Sequence, residues 1–446
     1  MMGFAKEPRP LDQVTWRNGE IGDATDIHRQ VWSVEIKGGQ NPMVRHGSEK
    51  VRAVRVVKEG RLGYATSRTQ PWIQLKQEAM IAASHGPETK MDEPVISSRK
   101  VPVAESQWCS AMFQQIYDAA SALYDDLENL DHEFRPSVMV AYHETATNLS
   151  NSTGGHAAWT HGYWDVSAGG RKVSGTDFHG IAETRLGADA IPDVNQVGQD
   201  LAKRFLWGQN LQSVDSGKYP IVFLPPVTMG LLASVLARLS GPALIAGNSP
   251  WEDQREQPVL SSLLSILSDA VIPDGPRTGP FDDEGTATGT WPLIEQGVLK
   301  NFVLDRDAAR RLGFEPLGMG YRASPNALPM SLPANLVISP GMAPLAEMLT
   351  RFPRLLILNG WIGGRPTNPL RGDISGNASD LYYVDHGFVT GRVKNAVVSV
   401  NVFDALSHQL LEVGQEVTWA TQGMMQAAPG KFPPLLIDQV DVAVRH

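Results

Sequence analysis

Early in the chain, apolar and polar positions alternate through Val31-Trp32-Ser33-Val34-Glu35-Ile36, and do so again over 51–57. A period of two puts every second side chain on one face, so both runs predict half-buried strands. Lys58-Glu59-Gly60-Arg61 then reads as a tight turn, and strand residues resume at Leu62-Gly63-Tyr64-Ala65. An antiparallel hairpin closed through Gly60 is expected. The period then shifts toward 3.6. Trp72, Leu75, Ala79 and Met80 share a face of a helix opening at Pro71, and Trp108, Met112, Ile116, Ala119, Leu123, Leu127 and Leu130 share a face of a longer one. Both are predicted to pack on the sheet. Strand patterns return over 138–142, 158–166 and 172–178 as a meander with Gly-rich turns. Leu201 and Phe205 then mark a helix over 197–207, stopped by Gly208-Gln209-Asn210.

The second half is strand-rich, with Gly and Pro turns at Pro273-Asp274-Gly275-Pro276, Gly363-Gly364-Arg365-Pro366 and Arg371-Gly372-Asp373. One exception follows the strand Ile221-Val222-Phe223-Leu224: residues 227–240 read as a helix that ends at Gly241-Pro242. The pattern predicts an α+β fold. A mixed sheet-and-helix N-terminal domain over 1–210 precedes a strand-rich, curved-sheet or barrel-like domain over 211–446. No short-period repeat and no low-complexity segment interrupts it.

Composition narrows the function classes. A chain of 446 residues suits two or three domains, and 42% hydrophobic with 20% charged residues is the balance of a water-soluble globular protein. The net charge of -9, with no Lys/Arg block, makes nucleic acid an unexpected partner. No apolar run is long enough to span a bilayer, and MMGFAKEPRP lacks the apolar core of a signal peptide, so a cytoplasmic location is the default expectation. Cys109 stands alone, so neither an internal disulfide nor a cysteine-rich metal site can form. Its place in an amphipathic helix predicts packing.

Candidate chemistry is sparse. His143, His156 and His161, with Glu144 nearby, form the one histidine concentration, but His156 and His161 are five apart and fall on opposite faces of a continuous strand. A solvated or hydrogen-bonded strand surface is favoured there over a metal site. Asp282, Asp283 and Glu284 in a Gly-bounded loop are expected to act as turn and capping residues before acid/base groups. Trp159-Thr160-His161-Gly162-Tyr163-Trp164 is more suited to packing than to ligand contact. No Gly-x-Ser-x-Gly elbow exists, and Asn359-Gly360-Trp361-Ile362-Gly363-Gly364 lacks the lysine of a phosphate loop.

Several longer stretches are more telling. Phe281-Asp282-Asp283-Glu284-Gly285-Thr286, Leu293-Ile294-Glu295-Gln296-Gly297-Val298-Leu299-Lys300, Asn335-Leu336-Val337-Ile338-Ser339-Pro340-Gly341, Gly372-Asp373-Ile374-Ser375 and Asn401-Val402-Phe403-Asp404-Ala405-Leu406 occur in this order. In order and spacing the chain resembles the TldD/PmbA family, well over about 217–406 and more weakly upstream. These matches are architectural, with Gly at turns and apolar residues on strand faces.

The resemblance implies a division by one helix. Peptidase members similar to this chain carry His-Glu-x-x-x-His there, two zinc ligands and a glutamate base, with a cysteine from the C-terminal region completing the shell. Aligned on Leu231-Leu232, this chain has Ala233, Ser234 and Arg238 at those three positions, and no cysteine follows Cys109. Ala has no donor, Ser is neither a usable zinc ligand nor a base here, and Arg is a fixed cation. Arg238 itself, on a largely apolar helix, is expected in an internal ion pair or on a solvent-facing stripe. The resemblance thus implies a PmbA/TldE-like chain without metal or catalytic residues of its own. Its expected partner is a TldD-like metallopeptidase that carries the zinc, in a complex acting on small, unfolded or modified peptides. A self-associating peptide-binding protein and a hydrolase of altered chemistry remain the alternatives.

Overall fold

The computed structural model describes residues 14–17, 19–96, 111–175, 177–364, 366, 368–420 and 429–445. Trp108 and Cys109 of the second predicted helix, and Arg365 of one predicted turn, lie outside the described residues. Strands β1 (Ile21–Lys37), β2 (Met43–Lys58), β3 (Arg61–Ser67), β4 (Arg135–Asn151), β5 (His156–Ser174) and β6 (Asp177–Gly187) form an antiparallel sheet in the order β3-β2-β1-β4-β5-β6. The predicted hairpin is present, with Lys58 opposite Arg61 across Glu59-Gly60. The strands run longer than their apolar alternation. At the start of β2, residues 43–48 are exposed, so no buried face marks them in the sequence.

The meander differs in one place. The predicted strand over 172–178 is broken by a turn at Gly175, while Gly169 and Gly170 lie within β5 and not in a turn. A Cβ at Gly170 would stand 2.4 Å from the ring of Phe134, so this glycine permits close packing.

Three helices cover the sheet. Helix α1 (Trp72–Ala83) buries Trp72, Leu75, Ala79 and Ala83 against Ala24, Val54 and Val56. Helices α2 (Met112–Glu128) and α3 (Val194–Trp207) bury Ile116, Leu123, Leu127, Leu201 and Phe205 against Val34, Val138, Val140 and Trp164. The 3.6-residue stripes of the sequence are the faces that pack.

The C-terminal half contains a closed five-stranded barrel, as the strand-rich pattern predicted. Strand β7 (Gly217–Phe223) lies parallel to β8 (Arg354–Ile362); β8 pairs β9 (Asp373–Asp385), β9 pairs β10 (Ala396–Asn401), β10 pairs β11 (Leu435–Val444), and β11 returns to β7. Closure leaves none of the five with two open edges. A second sheet includes Ile266–Asp269, Thr290–Glu295 and Asn335–Ile338. Helix α4 (Pro225–Leu239) leaves β7 through two prolines in its first turn, where missing N–H groups cost nothing. Its Leu231, Leu232, Val235 and Leu239 join the core that holds Phe223, Leu356, Leu358 and Phe432.

Ion pairs, one buried and two partly buried, help tie the two halves together. Arg55 of β2 lies between Asp23, 2.8 Å from Nε, and Glu284, 2.7 Å from Nη1. Arg306 donates to Asp92 at 2.6 Å, and Arg392 forks onto both oxygens of Asp177 at 2.7 and 2.8 Å.

Candidate functional site

Helix α4 places Ser234 and Arg238 one turn apart on one face. Ser234 is fully buried, and its Oγ makes no hydrogen bond among the described residues. Arg238 is half-buried. Its Nε donates to the Leu370 carbonyl at 2.9 Å, and its guanidinium carbon sits 3.1 Å from the centre of the Phe403 ring and 5.3 Å from that of Trp251. The two rings meet edge to face at 5.5 Å. Among the described residues no carboxylate pairs with Arg238. Burial lowers its pKa to about 10, which still leaves it protonated at neutral pH. The expected ion pair or solvent-facing stripe is therefore replaced by π faces and a carbonyl, the partners a weakly hydrated planar cation accepts.

These side chains do not fit a zinc site. Ala233 has only a methyl group, the Ser234 hydroxyl is sealed in the core, and Arg238 brings a positive charge. Tetrahedral zinc needs imidazole, thiolate or carboxylate donors.

The N-terminal end of α4 faces a cleft. Pro226 lines a cavity of about 320 Å³ between residues 180–184 of β6, the outermost strand of its sheet, and Asn359, Asp380 and Trp419. An adjoining cavity of about 240 Å³ shares Glu183, Pro226, Asn359 and Thr418 with it and reaches Arg204. Glu183 pairs with both Arg185 and Arg204, and Arg185 also reaches Asp200 at 3.1 Å. The edge of β6 carries unpaired backbone groups beside this charged row.

The other sequence candidates fall elsewhere. His143 stacks on Tyr163 at 4.7 Å and lies 3.7 Å from Asp165, while buried Glu144 points away on the other face. His156 Nδ1 lies 3.3 Å from Ser150 Oγ. His161 is buried, and burial lowers its pKa to about 4, so its ring is neutral at pH 7. Asp282 is the turn residue expected: Oδ1 accepts from the Glu284 and Thr286 N–H groups and Oδ2 from that of Gly320. Asp283 Oδ2 accepts from the Arg322 N–H at 2.7 Å, and Glu284 holds Arg55. Of the tryptophans, Trp164 is buried against Tyr142, and Trp159 faces Phe281 at 6.2 Å.

Arg277, Tyr321 and Arg322 were not singled out by the sequence. Lone arginines in a strand-and-turn region carry no periodic signal, and only folding brings these against His161.

Comparison with known proteins agrees with this fold. Residues 216–444, just over half of the chain, match the PmbA/TldA metallopeptidase C-terminal domain. The chain belongs to the PmbA/TldD family. An uncharacterized protein of Methanocaldococcus jannaschii is 24% identical over 399 residues, covering 83% of this chain and 86% of that one. A metalloprotease of Synechocystis is 25% identical over 245 residues, so this chain spans only about half of that relative, 51% of its length. The crystal structure of TldE from Thermococcus kodakarensis superposes with a TM-score of 0.83 at 21% identity, covering 95% of this chain and 97% of that one. That likeness establishes the fold over nearly the whole length.

Proposed function

We propose that this chain is a non-catalytic, TldE-like subunit that pairs with a TldD-like zinc metallopeptidase in a complex processing small, unfolded or modified peptides. The reading rests on α4, where, on the alignment through Leu231-Leu232, a methyl, a buried hydroxyl and a guanidinium with no carboxylate partner among the described residues would stand at the positions of the family's metal ligands and base. Three groups and the absent downstream cysteine would all have to change before zinc hydrolysis could run. The cleft along β6 supports the peptide part, because an open strand edge accepts extended peptides through main-chain hydrogen bonds irrespective of sequence.

The test is to purify the chain alone, and with a His-Glu-x-x-x-His homologue encoded by the same genome, and to measure zinc content and peptide cleavage for each. A stable complex is expected in which zinc and chelator-sensitive cleavage depend on the homologue. Stoichiometric zinc with cleavage by the isolated chain would overturn the reading.

A further inference from the structure

Away from α4, one face of the N-terminal sheet meets the turn over 276–283 and the strand Gly320–Arg322. In the sheet, Arg29, Thr145 and His161 are direct register neighbours across β1, β4 and β5, so a single row of side chains crosses the sheet at this junction. The cavity enclosed is about 100 Å³.

Its charge is unbalanced. Arg29, Arg277 and Arg322 line the cavity against one carboxylate, that of Asp283, which is already committed to the Arg322 backbone N–H. Arg322 is buried and Arg277 partly buried, and among the described residues neither has an ion-pair partner. Arg277 is held by the Pro333 carbonyl at 3.0 Å and lies over the Tyr321 ring at 5.2 Å. Arg322 spends Nη1 on the Tyr64 hydroxyl at 2.6 Å and on the Ala327 carbonyl at 2.5 Å. Among the described residues its Nε and Nη2 make no hydrogen bond, and neither does Tyr321 Oη. Buried cations without a counter-charge are costly, and proteins retain them where an anion completes the set.

The geometry of the free groups selects the anion. Nε–H and Nη2–H lie on the same edge of a guanidinium, the fork that matches the two oxygens of a carboxylate. Tyr321 adds a hydroxyl donor. The remaining wall is apolar, with Ile27, Trp159 and Phe281. The volume is below the roughly 300 Å³ at which pockets for drug-sized ligands begin, so it suits one small group and not a nucleotide.

We infer that Arg322 and Tyr321, with Arg277 behind them and His161 in the wall, bind a single carboxylate carried on an apolar body, the chemistry of the C-terminal residue of a peptide. The site is assembled by this chain alone and does not rest on the subunit reading above. Isothermal titration calorimetry of the full chain tests it with three probes: N-acetylphenylalanine, its amide, and inorganic phosphate. The acid should bind saturably, with the amide at least about tenfold weaker, since the charge-assisted fork is lost. Arg322→Lys should weaken the acid by about tenfold or more. Arg322 also holds Tyr64 and Ala327, so Tyr321→Phe is the cleaner variant: it removes only an unpartnered hydroxyl and should weaken the acid about threefold at unchanged melting temperature. No saturable binding of the acid, equal binding of acid and amide, tighter binding of phosphate, or acid binding unaltered in both variants overturns the assignment.

Discussion

Arg55 and Arg238 show how much a partner decides for a buried guanidinium. Arg55 is enclosed with Asp23 and Glu284; burial works against its charge, and the two carboxylates outweigh that. Removing it strands two acids, so Arg55→Met should lower unfolding stability by about 3–5 kcal/mol in urea titrations. Arg238 strands nothing charged when removed. Arg238→Met should change stability by about 1 kcal/mol or less, because relief from desolvation offsets the lost ring and carbonyl contacts. Equal losses for the two variants would contradict this account. Glu93 is the converse case. Both of its carboxylate oxygens are buried without a hydrogen bond, and burial, then the nearby Asp23 charge, raise its pKa against the opposing pull of Arg55 and Arg306; Glu284 adds to the rise. A raised folded pKa means the folded state keeps a proton that the unfolded chain has released, so stability falls as pH climbs above the unperturbed value of 4.5. Glu93→Gln carries no such penalty. Its stability relative to wild type should therefore grow between pH 5 and pH 8, by on the order of 1 kcal/mol, and urea midpoints across that range would show a gap that widens with pH. Neither arginine's environment is legible in the sequence, since Glu284 lies 229 residues from Arg55 and Leu370 lies 132 from Arg238, which leaves no spacing to read.

Elements were read more faithfully than residues. Helix α4 runs over 225–239, against 227–240 from its apolar pattern, with Gly241-Pro242 opening a further short helix, Gly241–Ile245, and the β2–β3 hairpin closes across Glu59-Gly60. Both signals are local: a helical stripe and a turn dipeptide are set by neighbours in sequence. The β5–β6 boundary was misplaced because Gly169-Gly170 has the composition of a turn but serves a packing contact made across the sheet. Gly63 is a second glycine of this packing kind, within β3 beneath α1. A Cβ there would stand 1.9 Å from the Ala79 carbonyl oxygen and 2.6 Å from the Ala83 nitrogen, both backbone atoms. Backbone cannot rotate aside, so helix and strand must separate. Gly63→Ala should therefore cost about 1–3 kcal/mol and increase hydrogen exchange across α1, while α2 and α3 keep their protection. A variant as stable as wild type would mean that α1 is free to shift.

At the scale of the molecule, two periodicities describe two architectures, a helix-covered sheet and a barrel, but not what couples them. The strand alternation and helical stripes reflect burial inside each half, and the family resemblance covers the second half best. Part of the coupling comes from isolated charged residues, Arg55 with Glu284, Arg306 with Asp92 and Arg392 with Asp177, whose partners are distant in sequence, beside hydrogen bonds such as those of Thr89 to Asp307 and Arg322 to Tyr64. Pairs with one or both partners buried hold geometry more than they add net stability, because desolvation offsets most of their attraction. Their effect is then on cooperativity. With the pairs intact, calorimetry should show the chain melting in one transition, since neither half can open without exposing the other's unpaired charges. In Arg55→Met combined with Arg392→Met, two of these three ion pairs are gone while both hydrophobic cores are untouched. The melt of that variant should separate into two transitions, with the sheet half and the barrel half unfolding independently. A single transition shifted to lower temperature would place the coupling in the apolar junction instead, around Trp159, Phe281 and the carboxylate pocket, and saturating N-acetylphenylalanine should then raise that transition as a ligand bound across both halves must.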